Sequence, residues 1–324
     1  MLDVRAGSSG LRLSAEPLAY DRRMDSARLG RSDLEVSRVG LGCNNFGGRI
    51  GREETLAVVE AALGAGITFF DTADTYGAGQ SERFLGEALR ERRADVVIAT
   101  KFGQDTGVRG AGGSREHVRR AIDLSLGRLG TDVVDLYYYH RPDGVTPVVE
   151  TIGAMQELVD EGRVRWLGLS NVDRGQLDGA AASGIPVVAV QNRYSLMDRA
   201  DDADVLPRCR ELGIGYVPYF PLESGLLTGK YARGAPAPEG TRLAGRAESL
   251  SDERFDRVEA LEELAGSRGR TLLELSIGGL ASIPGIASVI AGATRPEQVR
   301  DNAAAGTWRL EPSELEALDT LRVG

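Results

Sequence analysis

The chain has 324 residues, 42% of them hydrophobic, with a formal net charge of −9 and a pI of about 5.0. This acidic balance argues against a nucleic-acid binder, and no apolar run approaches the roughly 18 residues of a membrane span. The N-terminus lacks the apolar centre of a signal peptide, and two cysteines, Cys43 and Cys209, are too few for a disulfide framework or a metal cluster. The composition therefore predicts a cytoplasmic protein with no metal site.

The first 23 residues differ from the rest of the chain in having no clear hydrophobic periodicity. We therefore expect residues 1–23 to be a disordered extension ahead of one domain over 24–324. The stretch that begins at Met24 reads as a short β-hairpin leading into a strand. Strand-like apolar runs then follow at 37–43, 67–71, 95–101, 132–140, 164–170, 186–192, 213–220 and 287–292. Helical patterns cover 52–64, 79–92, 114–129, 147–161, 173–182, 202–212, 251–281 and 296–305.

Eight alternating strand and helix units predict an α/β fold, a single (β/α)8 TIM barrel with an N-terminal β-hairpin. A doubly wound sheet is the alternative, but its Gly-rich G-x-G-x-x-G turn is only weakly imitated by "GLGCNNFGG" at 40–48. A Pro-, Gly- and Ala-rich segment, 232–248, follows the seventh strand. Its length fits either a lid or binding loop, or a surface insertion.

Four polar side chains stand at or just after the ends of consecutive strands, where barrel enzymes carry their chemistry. They are Asp71, Tyr76, Lys101 and His140. An ammonium lowers the pKa of a nearby phenol, and a carboxylate holds that ammonium in place. A histidine can hydrogen-bond a substrate oxygen. Each residue alone has a structural explanation, as a cap, a packing residue or a solvated strand end, but the combination favours protonation of a carbonyl oxygen during hydride transfer to its carbon.

The segments that contain these residues resemble the aldo-keto reductase superfamily. They read "FFDTADTYGAGQSERFLGEAL", "VVIATKFG", "DVVDLYYYHRPD" and "VRWLGLSNV", and the resemblance extends from about Met24 to about residue 310. It implies a catalytic tetrad in which Tyr76 is the general acid in reduction, Lys101 and Asp71 tune its pKa, and His140 orients the carbonyl. Asp74 matches no member of the tetrad, and we interpret it as a loop residue that shapes the turn.

The remaining strand ends carry groups suited to a nicotinamide cofactor, because an amide can pair with a carboxamide and a helix N-terminus can receive a phosphate. The resemblance implies that Ser170, Asn171 and Gln191 hold the carboxamide and that Tyr219 stacks on the nicotinamide ring. The backbone around Leu222 to Leu226, which includes Gly225, would meet the pyrophosphate, and Gly292, Thr294, Gln298 and Asn302 would meet the adenosine end. Pro221 and Lys230 are also expected to bind the cofactor. Without the resemblance, Ser170 and Asn171 would be interpreted as a helix cap, and Gln298 and Asn302 as a solvated helix face.

The cofactor segment departs from a common family pattern. Many members carry a Lys-Ser pair where this chain has Gly292 and Ala293, and an arginine at the position of Gln298. Those groups bind the 2′-phosphate of NADPH. A branch with the Gly-Ala version, which includes potassium-channel β subunits, is more similar to this chain, and several of its members use NADPH. Thr294, Arg295 or Lys230 could serve the phosphate here, so we expect NADPH, with NADH remaining open.

The sequence thus predicts an NADPH-dependent oxidoreductase that reduces a small-molecule aldehyde or ketone to an alcohol, with no nucleic-acid or membrane partner. Phe46, near the end of the first strand, is expected to line the mouth of the substrate pocket. Two other functions remain open: a reductase of a nucleotide-linked deoxysugar or other secondary metabolite, and a cofactor-sensing regulatory subunit with little turnover. The sequence does not indicate an oligomeric state.

Overall fold

The computed structural model describes residues 24–104 and 112–320, so the predicted extension at 1–23 lies outside the described residues. The chain begins with an antiparallel hairpin of β1 (Ser26–Arg28) and β2 (Glu35–Ser37), as predicted. Leu29, Leu34 and Val36 of this hairpin are buried in one cluster with inward-facing strand residues. The hairpin therefore covers one end of the interior of the sheet with apolar side chains.

Eight parallel strands form the central sheet. They are β3 (Val39–Gly42), β4 (Phe69–Asp71), β5 (Val97–Phe102), β6 (Val134–Tyr139), β7 (Val164–Ser170), β8 (Val187–Gln191), β9 (Gly215–Tyr216) and β10 (Val289–Gly292). Their order is β10-β3-β4-β5-β6-β7-β8-β9. Isolated parallel bridges from Tyr216 to Ile286 and from Tyr219 to Ile290 join the two ends of this order. The predicted (β/α)8 barrel with its N-terminal hairpin is confirmed.

Helices alternate with the strands and pack against their outer face. They are α1 (Arg52–Gly64), α2 (Gln80–Leu89), α3 (Arg115–Leu129), α4 (Val148–Asp160), α5 (Arg174–Ala182), α6 (Val205–Leu212), α7 (Asp252–Gly266), α8 (Leu272–Glu274), α9 (Leu280–Ser282), α10 (Pro296–Ala305) and α11 (Pro312–Thr320). A π-helical turn, Leu275–Gly279, makes α8 and α9 continuous. Among the described residues, no helix is both long and apolar enough to cross a bilayer.

Helix boundaries follow local signals closely, whereas the seventh barrel strand is shorter than predicted. Ser114 accepts a hydrogen bond from the backbone N–H of His117 at the start of α3, and Gly130 ends that helix with φ of 65°. The strand predicted at 213–220 is regular only over β9. Pro218 has no N–H to donate, so the segment continues as single contacts, such as Tyr219 N–H to the Asn192 carbonyl.

Candidate active site

Lys101 lies at the centre of the polar cluster at the carboxyl ends of β4, β5 and β6. Its side chain is fully buried, and its Nζ donates to Asp71 Oδ2 at 2.6 Å, to the Thr72 carbonyl at 2.8 Å and to Tyr76 Oη at 3.5 Å. An ammonium has three donors, so these contacts use all of its hydrogen-bonding capacity. Lys101 therefore holds the carboxylate and the phenol in a fixed relation.

Tyr76 is placed by a tight loop between β4 and α2. The next residue, Gly77, has φ of 55°, and a Cβ there would lie 2.6 Å from the Phe46 carbonyl oxygen. Glycine is thus required for the close approach of this loop to the loop after β3. The Tyr76 and His140 rings meet edge to face, with their centroids 6.0 Å apart. Both rings face the same cavity.

The pKa of Tyr76 shifts in the direction opposite to the one predicted from the sequence. Burial raises the pKa of Tyr76, and the Lys101 ammonium offsets this only in part, whereas a lowered pKa was expected. Burial also opposes the charge on Lys101, but Asp71 and Tyr76 outweigh it, so the pKa of Lys101 is raised. Tyr76 is therefore a protonated phenol at neutral pH, which is the form required of a general acid.

His140 is a neutral imidazole at the same rim. Burial, followed by the charges of Lys101 and Arg141, lowers its pKa from 6.5 to about 3. Its Nδ1 is buried without a hydrogen-bond partner among the described residues. The backbone of His140 is fixed by two hydrogen bonds: its N–H donates to the Phe102 carbonyl, and its carbonyl accepts from Asn171 Nδ2 at 2.8 Å. The ring can thus offer one N–H to a substrate oxygen without carrying a charge.

We expect His140 to show no titration between about pH 5 and pH 8. Because its pKa is depressed on folding, its contribution to folding stability is full above the unfolded value of 6.5 and is lost as the pH falls toward 3. With two histidines in the chain, imidazole NMR signals followed against pH test this directly, and His140→Asn assigns the signal. A His140 midpoint near 6.5 would contradict the buried, neutral state.

A cavity of about 550 Å³ opens beside Tyr76 and His140. Nearly all of the residues predicted to bind the cofactor line this cavity. Those that line it are Ser170, Asn171, Gln191, Tyr219, Pro221, Leu222, Gly225, Lys230, Gly292, Thr294, Gln298 and Asn302. Leu226 is buried and does not line the cavity.

Two amide side chains connect this cavity to the tetrad residues. Gln191 Nε2 donates to Asp71 Oδ1 at 2.9 Å, so its amide orientation is set by that carboxylate. Asn171 Oδ1 accepts from the Tyr219 hydroxyl at 2.7 Å, and its backbone takes φ of 56°. Gln191 directs one of its two amide N–H groups to Asp71, and its carbonyl oxygen can accept a carboxamide N–H.

The far end of the cavity is suited to an anion. A Cβ at Gly225 would lie 2.4 Å from Lys230 Nζ, so the ammonium rests directly on this glycine, whose φ is 91°. α10 begins after Arg295 without a side-chain cap, and Gln298 Oε1 accepts the Thr294 N–H at 2.8 Å. Neither Lys230 nor Arg295 has a carboxylate partner in the part of the chain that the structure describes. These groups fit the phosphates of a nicotinamide dinucleotide.

The segment 232–248 packs on this cavity rather than standing apart as a surface insertion. Leu243 is buried, Arg242 Nη2 donates to Asn45 Oδ1 at 2.7 Å, and Arg49 donates to the Gly240 carbonyl at 2.9 Å. The segment therefore reaches the loop after β3. Further residues line the cavity that the sequence did not indicate, among them Asn44, Asn45, Arg49, Gln104, Glu239, Gly240, Thr241 and Arg242. The length of the segment was the signal that could have pointed to the last of these.

Phe46 requires a correction. It is fully buried in the hydrophobic core and is not among the residues that line the cavity. Its backbone N–H donates to the Cys43 carbonyl, which turns the chain just after β3 and directs the ring inward. The neighbouring Asn44 and Asn45 line the cavity in its place.

The fold and the cluster together define a class: a parallel α/β barrel with buried titratable side chains beside a cavity at the carboxyl ends of its strands. Residues 38–323 match the model of the Aldo/keto reductase family, and the chain belongs to this family. Members of this family are oxidoreductases that use nicotinamide cofactors and act on small molecules, so the same holds for this chain at that level.

Several relatives cover most of the chain. Proteins described as probable voltage-gated potassium channel subunit beta, from Oryza sativa subsp. japonica and Arabidopsis thaliana, are each 37% identical over 87% of this chain and 91% of their own. A probable aldo-keto reductase 1 of Glycine max is 34% identical over 93% of this chain and 90% of its own. The structure of a glycerol dehydrogenase from Gluconobacter oxydans is similar with a TM-score of 0.81 and 28% identity, over 92% of this chain and 95% of that one.

Proposed function

We propose that this protein is an NADPH-dependent oxidoreductase that reduces an aldehyde or ketone group of a small molecule to an alcohol. The observation that carries this proposal is the placement of the Tyr76 hydroxyl. It contacts Lys101 Nζ and faces the cavity that Gln191 and Tyr219 also line. A proton donor and a candidate cofactor site thus share one cavity. The buried free thiols Cys43 and Cys209 fit the reducing cytoplasm that we propose as its location.

In this mechanism Gln191 and Tyr219 would hold a nicotinamide in the cavity, and the group would provide the hydride that the carbonyl carbon receives. Tyr76 donates its phenolic proton to the carbonyl oxygen, which completes the alcohol and leaves a phenolate. Lys101 stabilises that phenolate through the contact it already makes, and Asp71 keeps the ammonium charged and in place. His140, neutral and beside Tyr76, donates an N–H to the same oxygen. In the reverse direction Tyr76 accepts the proton.

The experiment that tests this function is turnover by purified protein. We would follow oxidation of NADPH and NADH with aromatic aldehydes, methylglyoxal, simple ketones and sugars, at protein concentrations far below that of the cofactor. Many turnovers per protein molecule with at least one carbonyl compound support the reductase. Absence of cofactor binding would contradict the whole assignment of the cavity.

The relatives described as potassium-channel subunits favour a second candidate, a regulatory subunit that binds the cofactor and turns over little. Both candidates require the same cavity, so binding alone does not separate them. A single-turnover measurement does, because a regulatory binder would oxidise about one equivalent of bound cofactor and then stop. Continued turnover with release of oxidised cofactor supports the enzyme.

The preference for NADPH is expected to depend on Lys230. Its ammonium has no carboxylate partner among the described residues, and it lies on the cavity wall beside Gly225. We expect Lys230→Met to raise the Kd for NADPH by about tenfold or more, since a charge-assisted contact to a phosphate contributes about 1.5–3 kcal/mol. The Kd for NADH should change less.

Fluorescence titration of the two cofactors measures both constants. Arg300→Met is the matched control, because Arg300 lies on α10, outside the cavity lining, and pairs with Glu297 at 3.7 Å. If Lys230→Met weakens the binding of NADPH and NADH equally, this lysine contacts a part that both cofactors share. That result would contradict a role in 2′-phosphate recognition.

A further inference from the structure

Asp74 is a buried carboxyl group that the proposed mechanism does not use. It lies in the same loop as Tyr76, is 6% exposed, and its Oδ1 has no hydrogen-bond partner among the described residues. Its backbone N–H donates to the Lys101 carbonyl at 3.1 Å. The residue therefore attaches the loop to β5 at the lysine of the tetrad and directs an unsatisfied carboxyl oxygen into the protein, where such groups are rare.

A second buried carboxyl group, Glu82 in the first turn of α2, lies nearby. Its Oε1 accepts from Thr100 Oγ1 at 2.6 Å, and its Oε2 accepts from Arg128 Nε at 2.5 Å. Arg128 reaches it across Gly79, where a Cβ would be 2.8 Å from Arg128 Cδ. Glu82 is thus fully paired, and it links α2 and α3 to the residue that precedes Lys101.

Charged and titratable groups face Asp74 from every element around it. They are Glu82 from α2, Arg128 from α3, Lys101 from β5 and Tyr137 from β6. Lys101 is already matched by Asp71 at 2.6 Å. Arg128 is therefore the one cation of this group left to balance both Glu82 and Asp74, and a proton on Asp74 removes the excess negative charge.

The pKa values agree with this count of charges. Burial, followed by the charge of Glu82, raises the pKa of Asp74 from 3.8 to about 7. Burial and then the same two carboxyl groups raise the pKa of Tyr137, whose hydroxyl is buried without a hydrogen-bond partner in the described part of the chain. Because the pKa of Asp74 is raised on folding, the stability that its neutral form contributes is present at low pH and is lost as the pH rises through about 7.

We propose that Asp74 is a positioning residue for the catalytic pair: in its neutral form it seats residues 72–76 on β5, and its ionisation beside Glu82 loosens that segment and moves the Tyr76 hydroxyl away from Lys101. Three contacts would be weakened together, namely the Asp74 N–H to the Lys101 carbonyl, the Thr72 carbonyl to Lys101 Nζ, and Tyr76 Oη to Lys101 Nζ. The effect on turnover rests on the proposed function, whereas the effect on the segment does not.

Hydrogen–deuterium exchange of the peptide over 72–79, corrected for the intrinsic pH dependence of exchange, measures the segment without any substrate. In the wild type, the corrected exchange rate should rise with pH between 3.8 and about 7, by up to about tenfold per pH unit, and level off above that pH. Asp74→Asn, which is neutral at every pH, should keep the segment protected across the range. Asp74→Ala, which leaves a void and no polar group, should exchange fast at every pH. Asp178→Asn, an exposed carboxylate paired with Arg174 and Arg208, is the control and should follow the wild type.

Glu82→Gln adds a test of the charge relation. Removing the Glu82 charge should lower the pKa of Asp74, so the rise in exchange should level off at a lower pH than in the wild type. Identical pH dependence in the wild type, Asp74→Asn and Glu82→Gln would overturn the proposal. So would an Asp74→Asn variant that exchanges as fast as Asp74→Ala, because the side chain would then act through its shape alone.

The second readout is the pH profile of carbonyl reduction. We expect kcat of the wild type to fall above about pH 7 with little change in cofactor KM, and the Asp74→Asn profile to lack this fall. The pKa of His140 is about 3 and that of Tyr76 is raised above 10, so the titration of neither residue accounts for a change in kcat near pH 7. If the wild type reduces no carbonyl compound, the proposed function fails, while the exchange experiment still decides the role of Asp74.

Discussion

Replacement of Tyr76 by phenylalanine is expected to lower kcat for carbonyl reduction by about 10²–10⁴-fold, the usual contribution of a general acid. The substitution removes the phenolic proton donor and its contact with Lys101, and it leaves the ring that packs edge to face on His140. The cavity wall keeps its shape, so the Kd for cofactor should stay within about twofold of the wild type. Stopped-flow turnover and fluorescence titration measure the two quantities.

Tyr194→Phe is the matched control for this substitution. It also removes a buried phenol, whose hydroxyl donates to Asp202 Oδ1 at 2.6 Å, but Tyr194 does not line the cavity. Its kcat should remain close to that of the wild type. A Tyr76→Phe enzyme that retains kcat within tenfold of wild type would show that the proton comes from another group, of which His140 is the nearest candidate on the same rim.

Replacement of Lys101 by methionine is expected to have the largest effect on stability. Among the described residues, it leaves the side chain of Asp71, which is 3% exposed, with one donor, Gln191 Nε2, and no cation in contact. Removing one partner of a buried ion pair costs about 3–5 kcal/mol of the free energy of unfolding. Turnover should also be lost, because the phenolate formed at Tyr76 would lack the neighbouring ammonium. Denaturant unfolding gives the free energy, and the turnover assay gives kcat.

The double variant Asp71→Asn with Lys101→Met distinguishes the effect of losing the whole ion pair from the effect of leaving one unpaired charge. It removes both charges, so it should be more stable than Lys101→Met alone, while remaining inactive. Arg92→Met, which breaks the exposed pair with Asp95, should change the free energy of unfolding by less than about 1 kcal/mol. A Lys101→Met protein as stable as Arg92→Met would mean that the buried carboxylate needs no counter-charge.

Some elements could be predicted well because they depend on local chemistry. The helices at 52–64 and 296–305 have the predicted bounds, since the apolar spacing of both, and the proline that begins the second, lie within the segment itself. The barrel strands were recognisable as continuous apolar runs because both of their faces are buried. The final helix α11 was not predicted, and the strand at 213–220 was predicted too long because single contacts to its neighbours replace a regular ladder beyond Tyr216.

The sequence alone therefore determined the class of fold, the order of its elements and which strand ends carry acid–base groups, because strand alternation and strand termini are local properties. Only the tertiary structure decided which groups meet across the barrel. Gln191 is hydrogen-bonded to Asp71 from 120 residues away, Arg242 reaches Asn45 across 197 residues, and Phe46 turns into the core. It also decided the protonation of Tyr76 and Asp74, since both pKa values are set by burial, and burial is a property of the packed protein rather than of any segment.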